Sequence, residues 1–113
     1  MTAAVRLLRR LVLEEPERTP DGAGGFVTAW VAVGTLWADV TARTSREDLI
    51  AGAERPRVRY RIVVRGAPVG TPQRPRPEQR LREGGRVFSI LTVAERDANG
   101  RYLEILAEEG VLS

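Results

Sequence analysis

The chain has 113 residues, with 18 basic against 15 acidic side chains and a net charge of +3. It contains no cysteine and no histidine. That excludes disulfides and thiolate metal sites, and removes the commonest general base and metal ligand.

The length suits a single domain, residues 1–113, with a core that needs no covalent staple. Every basic residue is arginine, as a GC-rich coding sequence would give, and arginine makes planar, bidentate contacts to carboxylate and phosphate. So small a net charge argues against a dedicated nucleic-acid binder. No EF-hand-like acidic spacing occurs, so neither metal nor cofactor is expected. No run is apolar enough to cross a membrane. Met1 to Arg10 is broken by Arg6, Arg9 and Arg10 and lacks a signal-peptide core. Synthesis and assembly in the cytoplasm, with no membrane partner, are the expectation.

Residues 1–7 read as a short arm. Leu8 to Glu15 reads as a first strand, with helix as the competing reading. Pro16, Thr19, Pro20 and the run Asp21-Gly22-Ala23-Gly24-Gly25 are expected to end it. That run lacks a P-loop lysine and reads as a flexible turn. Phe26 to Val33 and Leu36 to Arg43 read as two strands separated at Gly34. Trp30 and Trp37 either cap the core or, for Trp37 on the polar face, anchor an interface. Thr44 to Arg55 is a long excursion between strands, with a capping-box pattern at Ser45 and Asp48. It is either a short helix or a long loop.

Pro56 to Gly66 has the clearest period of two. Val58, Tyr60, Ile62 and Val64 share one face; Arg57, Arg59, Arg61 and Arg65 share the other, broken only by Val63. Such a row must meet carboxylates on neighbouring strands, a second subunit, or a polyanion. Gly66 to Glu78, with Pro68, Pro72, Pro75 and Pro77 around Arg74 and Arg76, reads as a surface loop. Gln79 to Glu83, a Gly84-Gly85 turn and Arg86 to Ala94 form a hairpin that pairs Leu81 with Phe88 and Glu83 with Arg86. A turn over Asp97 to Gly100, with Gly100 left-handed, leads to a last strand from Tyr102 to Glu109. It pairs Val93 with Ile105 and Leu91 with Ala107. Apolar groups on both faces make the strand holding Ser89 central, with Ser89 in the core. The fold class is all-β: a small antiparallel barrel or sandwich of about six or seven strands, with 44–55 and 66–78 as long loops.

The order of these features resembles the head–tail adaptor family of phages, prophages and gene transfer agents. The resemblance rests on Asp21 to Phe26 running to Trp30, Leu36-Trp37-Ala38-Asp39-Val40, Val58-Arg59-Tyr60-Arg61, Gly84 to Ile90, and Tyr102-Leu103-Glu104-Ile105. It implies a virion β-barrel that forms a homo-oligomeric ring in the particle; alone the protein is expected to be monomeric or weakly associated, because a ring that closes only on a docking surface avoids open filaments. A portal or adaptor ring would lie on the head side and a tail terminator or tail tube on the tail side, with packaged DNA in the channel. The excursion 44–55 would be the gate loop of a stopper. Interface or channel candidates are Arg57, Arg59, Arg61, Arg65, Trp37, Arg43, Arg46, Arg55, Arg74 and Arg76. Segregated charge would suit such a ring: arginine strands on one side, and Glu14, Glu15, Glu17, Glu104, Glu108 and Glu109 on the other. The alternative is a nucleic-acid-binding barrel that uses strand 57–65 with Tyr60 or Trp37 as stacking groups. No catalytic constellation is found, and an enzyme is not expected.

Overall fold

A computed structural model of the chain describes residues 4–43 and 58–110. Six strands are present: β1 (Arg9–Pro20), β2 (Phe26–Arg43), β3 (Arg59–Arg65), β4 (Arg80–Glu83), β5 (Arg86–Glu95) and β6 (Tyr102–Gly110). Each pairs antiparallel with its neighbours in the closed order β1-β2-β3-β6-β5-β4. Closure leaves the barrel wall without an edge, and alternate residues fill its interior. Leu11, Leu13, Ala38, Ile62, Val64, Leu81, Phe88, Ile90, Leu103, Ile105 and Ala107 form that core, with Leu36, Val40, Tyr60 and Val93 packed against it. The expected inner face of β3 is correct for Tyr60, Ile62 and Val64. Val58 precedes the strand and is 41% exposed, because the barrel wall begins only at Arg59.

The β4–β5 hairpin has the expected register, Leu81 opposite Phe88 and Glu83 opposite Arg86. The next turn is also as expected: Gly100 has φ +65° and its N–H donates to the Asp97 carbonyl at 3.0 Å. Val93 pairs with Ile105, but Ile90, not Leu91, pairs with Ala107. Leu91 is the extra residue of a β-bulge. The inward residues are even-numbered at Phe88 and Ile90 and odd at Val93, and one inserted residue reconciles the two.

Gly34 does not divide β2. The strand is continuous, and its register beside β1 jumps from Leu13–Gly34 to Glu14–Ala32, so Val33 is bulged. The bulge reverses the facing of residues 26–32 and turns Trp30 onto the outer surface, away from the core. Nor do the prolines end β1. Pro16 pairs opposite Trp30 and Pro20 opposite Phe26, beyond Glu14, where β1 has lost β4 as a neighbour. An edge strand tolerates proline there. The result is a two-stranded arm, Glu15–Pro20 against Phe26–Val31, projecting about 20 Å past the barrel at ~3.3 Å per residue. Its tip is a built turn. Asp21 Oδ1 accepts the Ala23 and Gly25 N–H groups at 2.8 and 3.0 Å, and these bonds lower the Asp21 pKa.

Candidate functional site

The two ends of the barrel are built differently. At one end β1, β3 and β5 begin and β2, β4 and β6 finish. There the inward-facing row turns from apolar to charged. Arg9 Nε donates to Glu83 Oε2 at 2.9 Å. Arg86 grips Glu109 through Nε (2.8 Å) and Nη2 (3.1 Å). Tyr60 donates its hydroxyl to Glu109 and accepts from Arg86, both at 3.1 Å. The Tyr60 ring meets Phe88 edge-on, with centroids 5.2 Å apart. This plug closes the core with paired charges. Hydrogen bonds from Arg9 hold Glu83, and from Arg86 hold Glu109, below the usual carboxylate range, against the opposing effect of burial. The excursion leaves the barrel after Arg43 and rejoins it at Val58, both at this end.

The opposite end carries the arm and the proline-rich loop. Gly66 N–H donates to the Arg101 carbonyl at 2.8 Å, and a Cβ on Gly66 would lie 1.9 Å from the Gly100 carbonyl oxygen. The loop therefore has to cross this turn as glycine. Pro75, within this loop, is fully buried. Arg74 donates to the Ala67 carbonyl at 3.1 Å, and Arg76 pairs with Glu15 at the base of the arm. Both arginines tie the loop to its own chain.

A buried ion cluster fixes the arm to the barrel. Glu14 receives Arg80 Nε at 2.7 Å and Arg82 Nε at 2.9 Å. The Arg80 guanidinium also lies over the Trp30 ring, 4.2 Å from its centroid. Burial pushes the Glu14 pKa up, but the bonds from Arg80 and Arg82 outweigh it and leave it lowered. Nothing in the local sequence marks this site, because β1 and β4 meet only through barrel closure. Arg18, Thr28 and Glu78 line an open groove of ≈ 720 Å³ beside Pro16 and Trp30.

Part of the arginine row meets carboxylates of its own chain. Arg59, Arg61 and Arg65 lie on the outer face of β3, with Arg43 opposite Arg59 on β2. On the other side β6 offers Glu104 and Glu108. Arg61 Nε is 3.4 Å from Glu104 Oε1, and Arg59 lies directly opposite Glu108. For Arg59 and Arg61 the carboxylates of a neighbouring strand are at hand, whereas Arg65 lies opposite Tyr102. The segregated charge expected for a ring subunit is corrected accordingly. Glu14, Glu15, Glu104 and Glu109 are interleaved with arginines and bonded to them. Tyr60 faces inward in the plug and cannot stack on a base, and Ser89 is exposed, not core. Trp37 is 54% exposed on the outer face opposite Arg10. Arg46, Arg55 and Arg57 lie outside the described residues.

Comparison with known proteins gives this barrel its place. Residues 2–110 match the family model of the phage head completion protein. The chain belongs to the phage head completion protein family. A chain of the virion of a native gene transfer agent particle is 49% identical, with a TM-score of 0.77; the match covers 98% of this chain and 100% of that one. Protein SF1141 of Shigella flexneri 2a is 30% identical, with a TM-score of 0.67 and 96% of each chain covered. No curated protein matches the chain. As a head completion protein it is a structural component of phage-like particles, and its place is the virion.

Proposed function

We propose that this head completion protein is one subunit of a connector ring between head and tail, with a structural and not an enzymatic role. The observation that carries the reading is the unlike construction of the two barrel ends. The charged plug and the anchors of the excursion, Arg43 and Val58, sit at one end; the arm and the proline-rich loop sit at the other. A subunit between two different rings needs two different end surfaces, and side-by-side copies related by rotation close a ring through heterologous contacts. One end would meet a portal or adaptor ring and the other a tail terminator or tail tube. With most buried charge paired internally, the isolated protein is monomeric or weakly associated, and the ring closes on its partner.

In this reading the excursion 44–55 is the segment that reaches the DNA channel. Arg43, Arg46 and Arg55 would bring cations to phosphate there. Deleting residues 46–53 while leaving both anchors tests it. Particles that join tails yet leak DNA are the expected result for a gate. Particles that fail to join tails make the segment an interface loop within the ring. Tailed particles that retain their DNA overturn both roles.

A further inference from the structure

Two exposed strand segments of the barrel carry no charge in a chain that is 29% charged. The first is on the arm. From Phe26 to Ala38 the sequence has no charged residue and no proline. Only Ala38 onward of β2 pairs with β3, so among the described residues the side of β2 away from β1 is open along the arm. Val27, Ala29 and Val31 share one face, opposite Thr19, Glu17 and Glu15 on β1. This face continues the inner side of the barrel past the last layer of its own core. Val27 and Val31 are accordingly 58% and 42% exposed. A long, uncharged, exposed edge strand is what monomers usually avoid. The neighbouring β1 edge, by contrast, is blunted by Pro16, Glu17, Arg18 and Pro20.

The second surface is the outer face of β5. Val87 to Ala94 is likewise uncharged, and Ser89, Leu91, Thr92 and Ala94 are exposed along it, with Leu106 of β6 beside Thr92. The Leu91 bulge puts two consecutive residues on this outer side. In the closed order β1-β2-β3-β6-β5-β4, β5 lies three strands from β2 in either direction. The two uncharged surfaces are thus on opposite flanks of the barrel. Strands of such a barrel tilt by roughly 35–45°, so the arm leaves sideways as well as downward.

We propose that the Val27–Ala29–Val31 face of the arm docks on the Ser89–Leu91–Thr92–Ala94 strip of the next copy of this chain. This inference rests on the ring reading and names its contact. Rotation around a ring requires unlike, complementary surfaces on opposite flanks, and these two are the uncharged pair so placed. Neither strip carries a charge of its own; Glu15 and Glu17 border the arm face and Glu104 and Glu108 border the β5 strip, so apolar burial drives the contact with the charges at its rim.

The chain has no cysteine, so introduced thiols report cleanly. Purified particles carrying the double variant Ala29→Cys/Thr92→Cys are treated with a short bis-maleimide and run on a denaturing gel. The expected result is a ladder of multimers of this chain, absent from either single variant. A companion variant, Val27→Lys, is expected to melt like the parent and to be lost from particles. Dimers from Ala29→Cys alone would show arm against arm and overturn the proposal. Cross-links only to a different particle protein would overturn the choice of occupant, and a Val27→Lys protein retained at parental level would overturn the surface. In each of those cases the chain is still in the particle and the ring reading stands. Absence of the unmodified chain from purified tailed particles would instead overturn the ring reading, and this contact with it.

Discussion

Glu14→Leu isolates the cluster that holds the arm. The substitution leaves two guanidinium groups without their carboxylate. Arg80 has a side chain only 9% exposed, whereas Arg82 is 36% exposed and can turn to water. The cost therefore falls on Arg80, and removing one partner of a buried pair costs about 3–5 kcal/mol. Stacking on Trp30 lets the cation keep some of its stabilisation, so the lower half of that range is expected. An unfolding entropy of about 2 cal/mol/K per residue makes 1 kcal/mol worth roughly 4 °C in a domain of this size. Glu14→Leu should then lower the Tm by about 12–16 °C by calorimetry. The double variant Glu14→Leu/Arg80→Met replaces the pair by apolar groups and should recover most of that loss, since such exchanges are often neutral. A drop below about 4 °C for the single variant, or a double variant as unstable as the single, would refute the argument that Glu14 compensates the buried Arg80 guanidinium.

Ile62→Ala empties a fully buried site and should cost about 2–5 kcal/mol by denaturant titration; Tyr60→Ala also breaks the plug and should fall in the same range. Unchanged midpoints would mean that the faces of β3 are reversed. Gly66→Ala forces a methyl against the Gly100 carbonyl oxygen and should destabilise by about 1–3 kcal/mol or more. Gly34→Ala meets open space and should be neutral or stabilising by up to about 1 kcal/mol. Glu83 and Glu109 have folded pKa values below the unfolded carboxylate value of about 4.3. In that window the unfolded chain binds more protons, so their stabilisation is full above about pH 4.3 and is lost as the pH falls through the folded pKa values. Glu83→Gln/Glu109→Gln should flatten the Tm-versus-pH curve below pH ~5, and a curve as steep as the parent's would remove the plug from the acid response.

What could be read from the sequence is what local physics decides. The Gly84-Gly85 hairpin came out in register because the turn and the alternation on either side agree on one pairing. Gly100 was legible because the Asp97 turn needs a left-handed residue there. The β3 faces were legible because Tyr60, Ile62 and Val64 alternate with arginines, Val63 being the one exception. The two bulges were harder. At β5 apolar residues on both faces hide the change of parity between Ile90 and Val93. At β2 glycine and small residues surround Val33, and nothing local distinguishes a bulge from a break. The site was less legible than the fold. Which carboxylate answers which arginine depends on the strand order round the barrel, so Glu104 beside Arg61 and Glu14 between Arg80 and Arg82 could not be read from spacing. The proposed contact between copies rests not on the arginine row of β3 but on uncharged residues of β2 and β5.

That inversion bears on how such a barrel assembles. A chain so rich in arginine suggests assembly by charge, yet the arginines at the plug, on β4 and on Arg61 of β3 have carboxylate partners of their own. An ion pair already satisfied inside one subunit gains little by exchange with the same pair in the next, because each charge loses one partner as it gains another. The uncharged β2 strand of the arm and the uncharged β5 strip have no such internal competitor. Water is what covers them in the monomer, and releasing it is the favourable change left when copies meet. Internal charge pairing thus holds each barrel and its arm in one geometry, and in the proposed ring the uncharged strips are the surfaces left to carry contact between copies.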